Sequence, residues 1–169
     1  MIQKKICMVG MFGTGKTSLV QRYVYSMFSQ KYHSTVGVKV DRKEVQVDGE
    51  TVKLLLWDIE GRTAEQDIPA TYLKGAHGIV YVVDGTRRET LDQLESIQET
   101  ARRAAGSVPS VVALNKCDLT AEWKLKDKDE TALRRRALHS IQTSAKLGEG
   151  VEQVFQWVAA ATVNAGLAR

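Results

Sequence analysis

Apolar residues along this chain fall into two rhythms. A short apolar run, Ile6-Cys7-Met8-Val9, stops at Gly10, and beyond a glycine-rich stretch Leu19, Val20, Tyr23 and Val24 recur at helical spacing. A strand is therefore expected to pass through a loop into a helix. Residues 36–47 then alternate, with Val45 and Val47 on one face, and Val52, Leu54 and Leu56 alternate on the far side of Asp48-Gly49. Asp-Gly between two alternating runs predicts a hairpin. "GIVYVVD" (Gly78–Asp84) and "SVVALN" (Ser110–Asn115) are continuous apolar runs, the pattern of strands covered on both faces. Leu91, Leu94, Ile97 and Ala101 mark an amphipathic helix between them, and Val151, Val154, Phe155 and Val158 mark another near the end. Both stripes read as core faces. Strands alternating with helices predict an α/β protein: a mainly parallel sheet, helices on both sides, and one antiparallel edge from the hairpin. No repeat, low-complexity tract or linker interrupts the 169 residues, so a single domain spanning 1–169 is expected.

Composition narrows the function classes. A net charge of +4 is mild, and its only basic triplet is Arg134-Arg135-Arg136. A nucleic-acid binder shows a denser stripe, so no nucleic-acid partner is expected. Cys7 and Cys117 lack metal-ligand spacing and suggest a reducing compartment. No stretch reaches the ~20 apolar residues that span a membrane, Ile2 stands where N-myristoylation needs glycine, and no cysteine lies near the C-terminus. A cytoplasmic protein without a stable membrane anchor is expected.

The glycine-rich stretch carries the first chemistry. Residues 10–17, "GMFGTGKT", fit G-x-x-x-x-G-K-[ST] between a strand and a helix, which is the context that gives the motif its meaning. Glycines let successive N–H groups wrap an anion that also faces the positive end of the helix dipole. Lys16 can neutralise outer phosphates, and the Thr17 hydroxyl can ligate magnesium. Two later stretches bear on the base. "NKCD" (Asn115, Lys116, Cys117, Asp118) follows an apolar strand, so its side chains emerge where ligands bind in open α/β sheets. A carboxylate such as Asp118 accepts from N1–H and the exocyclic amine of guanine, a donor pair adenine lacks. "TSAK" (Thr143, Ser144, Ala145, Lys146) follows the last short strand, and its N–H groups can donate to a guanine carbonyl.

In this order behind a phosphate loop, these stretches resemble the Ras-like small GTPases, most closely their Rab branch. The strings "GTGKTSLVQRY", "STVGVKV", "WDIEG", "YLKGAHGIVYV", "NKCDL" and "TSAK" carry the resemblance over almost the whole chain. It implies a P-loop fold with a six-stranded mixed sheet, five strands parallel and one antiparallel, and about five helices. It implies a Mg²⁺-dependent switch that binds GTP, hydrolyses it slowly to GDP, and meets effectors and regulators through its switch regions. The nucleotide contacts it implies are Gly13, Thr14, Gly15, Lys16, Thr17 and Ser18 in the loop, and Asn115, Lys116, Asp118, Ser144, Ala145 and Lys146 around the base. Phe28 would pack against guanine and Tyr32 would lie over the phosphates. Thr35 would join Thr17 and Asp58 at the metal, Asp58 through a water, and Gly61 would donate to the γ-phosphate. Lys16, Gly61 and Arg62 form the expected catalytic set.

Three departures from the family pattern stand out. Arg62 occupies the place of the usual water-orienting glutamine, and a guanidinium has donors but no acceptor. It can place positive charge near the γ-phosphate, and Glu60, Glu65 or Gln66 can take over the water. Phe12 stands where a small residue is usual and is expected to obstruct a partner's arginine finger, unless it turns onto the second switch. The missing C-terminal cysteine suggests a cytosolic protein, of prokaryotic source, or a chain whose tail lies beyond this sequence. Two other readings remain: a GTP-loaded scaffold with negligible turnover, and a P-loop kinase, which "NKCD" and the lack of an evident acceptor lid disfavour.

Overall fold

The computed structural model describes residues 1–31 and 34–168. Its elements run β1 (Ile2–Gly10), α1 (Lys16–Tyr25), β2 (Val38–Val47), β3 (Glu50–Ile59), α2 (Ala70–Leu73), β4 (Gly78–Asp84), α3 (Arg88–Asp92), α4 (Leu94–Ala105), β5 (Ser110–Asn115), α5 (Asp127–Arg135), β6 (His139–Thr143) and α6 (Val151–Leu167). Six strands form one sheet in the order β2-β3-β1-β4-β5-β6. Only β2 runs antiparallel to its neighbour; every other pairing is parallel. The hairpin turns at Asp48 and Gly49, both at positive φ, the conformation a tight two-residue hairpin turn requires.

The continuous apolar strands divide their side chains between two cores, as a period of two demands. Ile6, Met8, Val80, Val82, Val111 and Ala113 face α1 and α6 in one core. Cys7, Val9, Ile79, Tyr81, Val83, Val112 and Leu114 face the other, with Leu94 and Ile97 from α4 and Leu133 from α5. Tyr23 of α1 stacks on Phe155 of α6 with ring centroids 4.1 Å apart. Both faces covered, the central strands leave only their ends in contact with solvent. The carboxyl ends of β1, β4 and β5 therefore become the platform for the site.

Three details differ from the pattern-based expectation. The helical stripe of Leu91, Leu94, Ile97 and Ala101 spans two helices, α3 and α4, that meet at Gln93. The first helix stops at Tyr25 because Ser26 adopts a left-handed conformation, φ 54°. Helix α5 escapes the pattern because only Leu133 and Asp129 of its residues are buried. No described helix is long and apolar enough to cross a membrane.

Candidate nucleotide and metal site

The glycine loop leaves β1 at Gly10, where a Cβ would lie 2.5 Å from the Val82 carbonyl oxygen. It enters α1 through Gly15 at φ 99°, and a Cβ there would lie 2.2 Å from Asn115 Nδ2. Close backbone approach and positive φ thus explain both glycines. Thr14 is fully buried and its hydroxyl donates to the Met11 carbonyl at 3.0 Å, shaping the loop from within. Lys16 Nζ donates to the same carbonyl at 2.9 Å. Burial pushes the Lys16 ammonium down to about 8, against the attraction of Asp58, so it remains a cation at neutral pH.

Beside it, three oxygen-bearing side chains converge. The Thr17 hydroxyl donates to Asp58 Oδ2 at 2.6 Å and lies 2.7 Å from the Thr35 hydroxyl, which is 3.5 Å from the same carboxylate oxygen. Asp58 is 1% exposed, and its Oδ1 has no hydrogen-bond partner among the described residues. Burial raises the Asp58 pKa, opposed by the Thr17 bond and Lys16. Hard oxygen donors with an orphaned carboxylate oxygen suit a magnesium ion, which prefers few protein ligands and keeps waters.

These groups border a cleft of about 440 Å³. Of the residues expected in the site, Gly13, Gly15, Lys16, Thr17, Ser18, Phe28, Thr35, Gly61, Asn115, Lys116, Asp118, Ala145 and Lys146 line it. Thr14 and Asp58 stand behind the lining, and Ser144 reaches it through Asp118, whose Oδ1 accepts from the Ser144 hydroxyl at 2.8 Å. Tyr32 lies outside the described residues. Phe12 also lines the cleft and is 43% exposed, so its ring does not fold into the core.

Two of the expected site residues make contacts of their own within the fold. Asn115 lines the cleft, while its Nδ2 donates to the Thr14 carbonyl at 3.0 Å and its Oδ1 accepts from the Thr143 hydroxyl at 3.0 Å. The side chain thus braces the phosphate loop against the loop after β6, and its second amide hydrogen is left to donate into the cleft. Lys116, held at φ 71°, extends the brace, its ammonium reaching Gly13 O at 3.2 Å and Asp84 Oδ2 at 2.8 Å. Arg62 is the second such residue. Its guanidinium turns from the cleft onto Asp67, Ser96 and Thr100, because those groups offer the acceptors that a guanidinium needs. The candidates to replace it do not line the cleft either. Glu60 accepts from Gly37 N at 3.0 Å and from Gln66 Nε2 at 3.3 Å, and Glu65 is exposed.

Sequence reasoning missed two supports. Asp84 is a lone carboxylate at the end of a fully buried strand, a signal shared with Asp58. Arg22, whose guanidinium donates to the Ala145 carbonyl at 2.7 Å and also to that of Lys146, carried no local signal.

A family model described as "Ras family" matches residues 5–164. The chain belongs to the Ras family. The Ras-related protein Rab-1 of Theileria parva is 35% identical over 161 residues, covering 93% of this chain and 73% of the relative. Rab-1 of Theileria annulata is 34% identical over 160 residues, with the same coverage of both chains. This Ras-family chain is thus a GTP-binding small GTPase close to the Rab branch, and its six-stranded sheet with one antiparallel strand is the mixed sheet the resemblance implied.

Proposed function

We propose that the chain, acting as one G domain in the cytoplasm, binds GTP together with Mg²⁺ and hydrolyses it slowly to GDP. The observation that carries this reading is the convergence of Lys16, Thr17 and Thr35 on one wall of the cleft at the N-terminus of α1, with Asp58 directly behind them. Loop amides and the Lys16 ammonium hold the phosphates, and the helix end adds its dipole. Magnesium, when bound, would neutralise negative charge that develops on the phosphates. Thr17 and Thr35 would ligate it, with Asp58 behind a water.

At the other end, Asp118 would take the guanine N1–H and amine, its carboxylate oriented by Ser144. Arg22 holds the carbonyls of Ala145 and Lys146 and so steadies the loop whose backbone amides would donate to the base oxygen. Phe28 offers an aromatic face to the ring system. Effectors and regulators would read the state through the segments around Thr35 and Gly61.

Slow turnover is supported by what surrounds the reacting centre. No side chain among Glu60, Arg62, Glu65 and Gln66 lines the cleft, so no described group of the second switch stands ready to orient the attacking water. Unassisted phosphoryl transfer in such switches is on the order of 10⁻⁴ s⁻¹. The engagement of Arg62 elsewhere also favours a second reading, a scaffold that stays loaded with GTP. Identifying the nucleotide that co-purifies, followed by single-turnover hydrolysis with magnesium, tests both. Bound GDP and a measurable rate support the slow switch; retained GTP without turnover supports the scaffold. Absence of any guanine nucleotide affinity overturns both.

A further inference from the structure

Successive carbonyls of the phosphate loop are each held by a side chain. Met11 O accepts from the Thr14 hydroxyl at 3.0 Å and from Lys16 Nζ at 2.9 Å. Phe12 O accepts from a terminal nitrogen of Arg87 at 2.9 Å, Gly13 O from Lys116 Nζ at 3.2 Å, and Thr14 O from Asn115 Nδ2 at 3.0 Å. A trans peptide points its N–H opposite its C=O, and no described peptide bond is cis. Tethering the carbonyls of Phe12, Gly13 and Thr14 therefore turns the amides of Gly13, Thr14 and Gly15 the other way. Gly13 lines the cleft and Arg87 does not, so the Arg87 tether pulls from outside it.

Thr14, Lys16, Asn115 and Lys116 belong to the stretches that carry the family resemblance, and Arg87 belongs to none of them. Its backbone is nevertheless fixed at the head of the site. Arg87 N donates to Asp84 O at 3.0 Å, where β4 ends, and Arg87 O accepts from the Thr90 amide at 3.0 Å and hydroxyl at 2.7 Å. Asp84 anchors a second tether as well, since its carboxylate holds Lys116 at 2.8 Å. The Arg87 guanidinium also meets Glu89 Oε1 at 3.2 Å, and the side chain is 36% exposed. Exposed contacts of this kind add little to global stability, so the bond to Phe12 bears on loop geometry instead. The charge is felt at the phosphate end: burial lowers the Lys16 pKa, Asp58 opposes this, and Arg87 adds to it.

We propose that Arg87 is a positioning residue for hydrolysis, which holds the Phe12 carbonyl outside the cleft and so aims the Gly13 amide at the phosphate chain. This deepens the reading of the chain as a GTP-hydrolysing switch and rests on it. Gly13 sits at φ 77°, and a glycine readily adopts other values, so this peptide can turn over once the tether is lost. An amide aimed in advance at phosphate oxygens that gain charge during transfer stabilises the transition state more than the bound ground state. Arg87 acts through the peptide it holds and does not touch the reacting atoms. Outright loss of one aimed donor costs about 10²–10³ in rate, and misdirecting one is expected to cost about tenfold.

Single-turnover hydrolysis by the full chain in magnesium, together with phosphorus NMR of the bound nucleotide, tests the proposal. Arg87→Ala should lower the rate about tenfold, change GDP affinity less than about threefold, and shift the β-phosphate resonance of bound GTP. Arg87→Lys keeps a cationic donor and should recover most of the rate. Glu89→Ala removes only the outer partner of the guanidinium and should leave rate and resonance as in the wild type. A purely structural role would instead lower rate and GDP affinity together, along with the melting temperature, and that pattern counts against the proposal. Turnover of Arg87→Ala at the wild-type rate, or a rate loss with the β-phosphate resonance unmoved, would overturn it. A wild type that binds GTP without turnover is judged on the resonance alone, where an unmoved signal in Arg87→Ala refutes the tether. If the wild type binds no guanine nucleotide, the switch reading itself fails and the proposal falls with it.

Discussion

The hydroxyls of Thr17 and Thr35 lie 2.7 Å apart, although one opens α1 and the other sits 18 residues later, before β2. Both face Asp58 at the end of β3, so three separate elements deliver oxygen to one point. A contact of this kind between a helix start and a loop lets the state of a ligand be felt by the loop. Four expectations follow from this site and the ionic contacts around it.

At the metal, Asp58→Ala should weaken GTP binding at least about tenfold in magnesium, ~1.4 kcal/mol, and change it little in excess EDTA. Thr35→Ala should weaken GTP more than GDP, because this loop hydroxyl is expected to join the metal when the γ-phosphate is present. Titrations of both nucleotides with and without metal check this. An equal loss for Asp58→Ala in EDTA would mean that the carboxylate supports the loop rather than an ion.

At the base, Asp118→Asn should move preference from GTP toward xanthosine triphosphate. An amide donates where a carboxylate only accepts, and xanthine offers an oxygen where guanine offers an amine. Competition binding on the variant reads the change, and an unaltered GTP preference would remove Asp118 from the base site.

In hydrolysis, the double change Phe12→Gly and Arg62→Gln should raise the single-turnover rate at least about tenfold, ~1.4 kcal/mol of barrier. Phe12 stands on the cleft wall while Arg62 is held on α4. The glycine clears space beside the phosphates, and the glutamine supplies an acceptor no longer drawn to Asp67. A wild type faster than the double variant would sink the idea of impaired hydrolysis.

Stability should depend on acid through Asp129. Arg88 donates to both of its carboxylate oxygens, at 3.0 and 2.7 Å, and the Lys126 amide adds a bond at 2.8 Å. The Arg88 bonds hold the Asp129 carboxyl down to about 2, from an ordinary value of 3.8. A folded pKa below the unfolded one gives stability that is fully present above about 4 and is lost as pH falls toward about 2. Asp129→Asn should therefore be less stable than wild type at pH 7, with the gap closing across that window. Denaturant titrations at several pH values measure it, and a gap that persists at pH 2 would contradict the assignment.

Local chemistry determined much of this protein. The phosphate loop, the Asp48-Gly49 turn and the two-faced strands Gly78–Asp84 and Ser110–Asn115 are legible because each rests on backbone geometry and side-chain period within a few residues. The loops "NKCD" and "TSAK" are legible for the same reason, since each follows a strand whose end faces the cleft. Tertiary structure alone decided where the side chains in those loops point. Asn115 gives one amide hydrogen to Thr14 and its oxygen accepts from Thr143, 101 and 28 residues away, and so braces the site on whose wall it stands. Arg62, beside Gly61 in sequence, is claimed by Ser96 and Thr100, 34 and 38 residues on. Helix α5 was hidden because its buried contacts are few and its polar residues dominate its pattern. A long, flexible cation goes to whichever acceptors the fold assembles around it, and spacing along a chain does not encode which distant acceptors arrive.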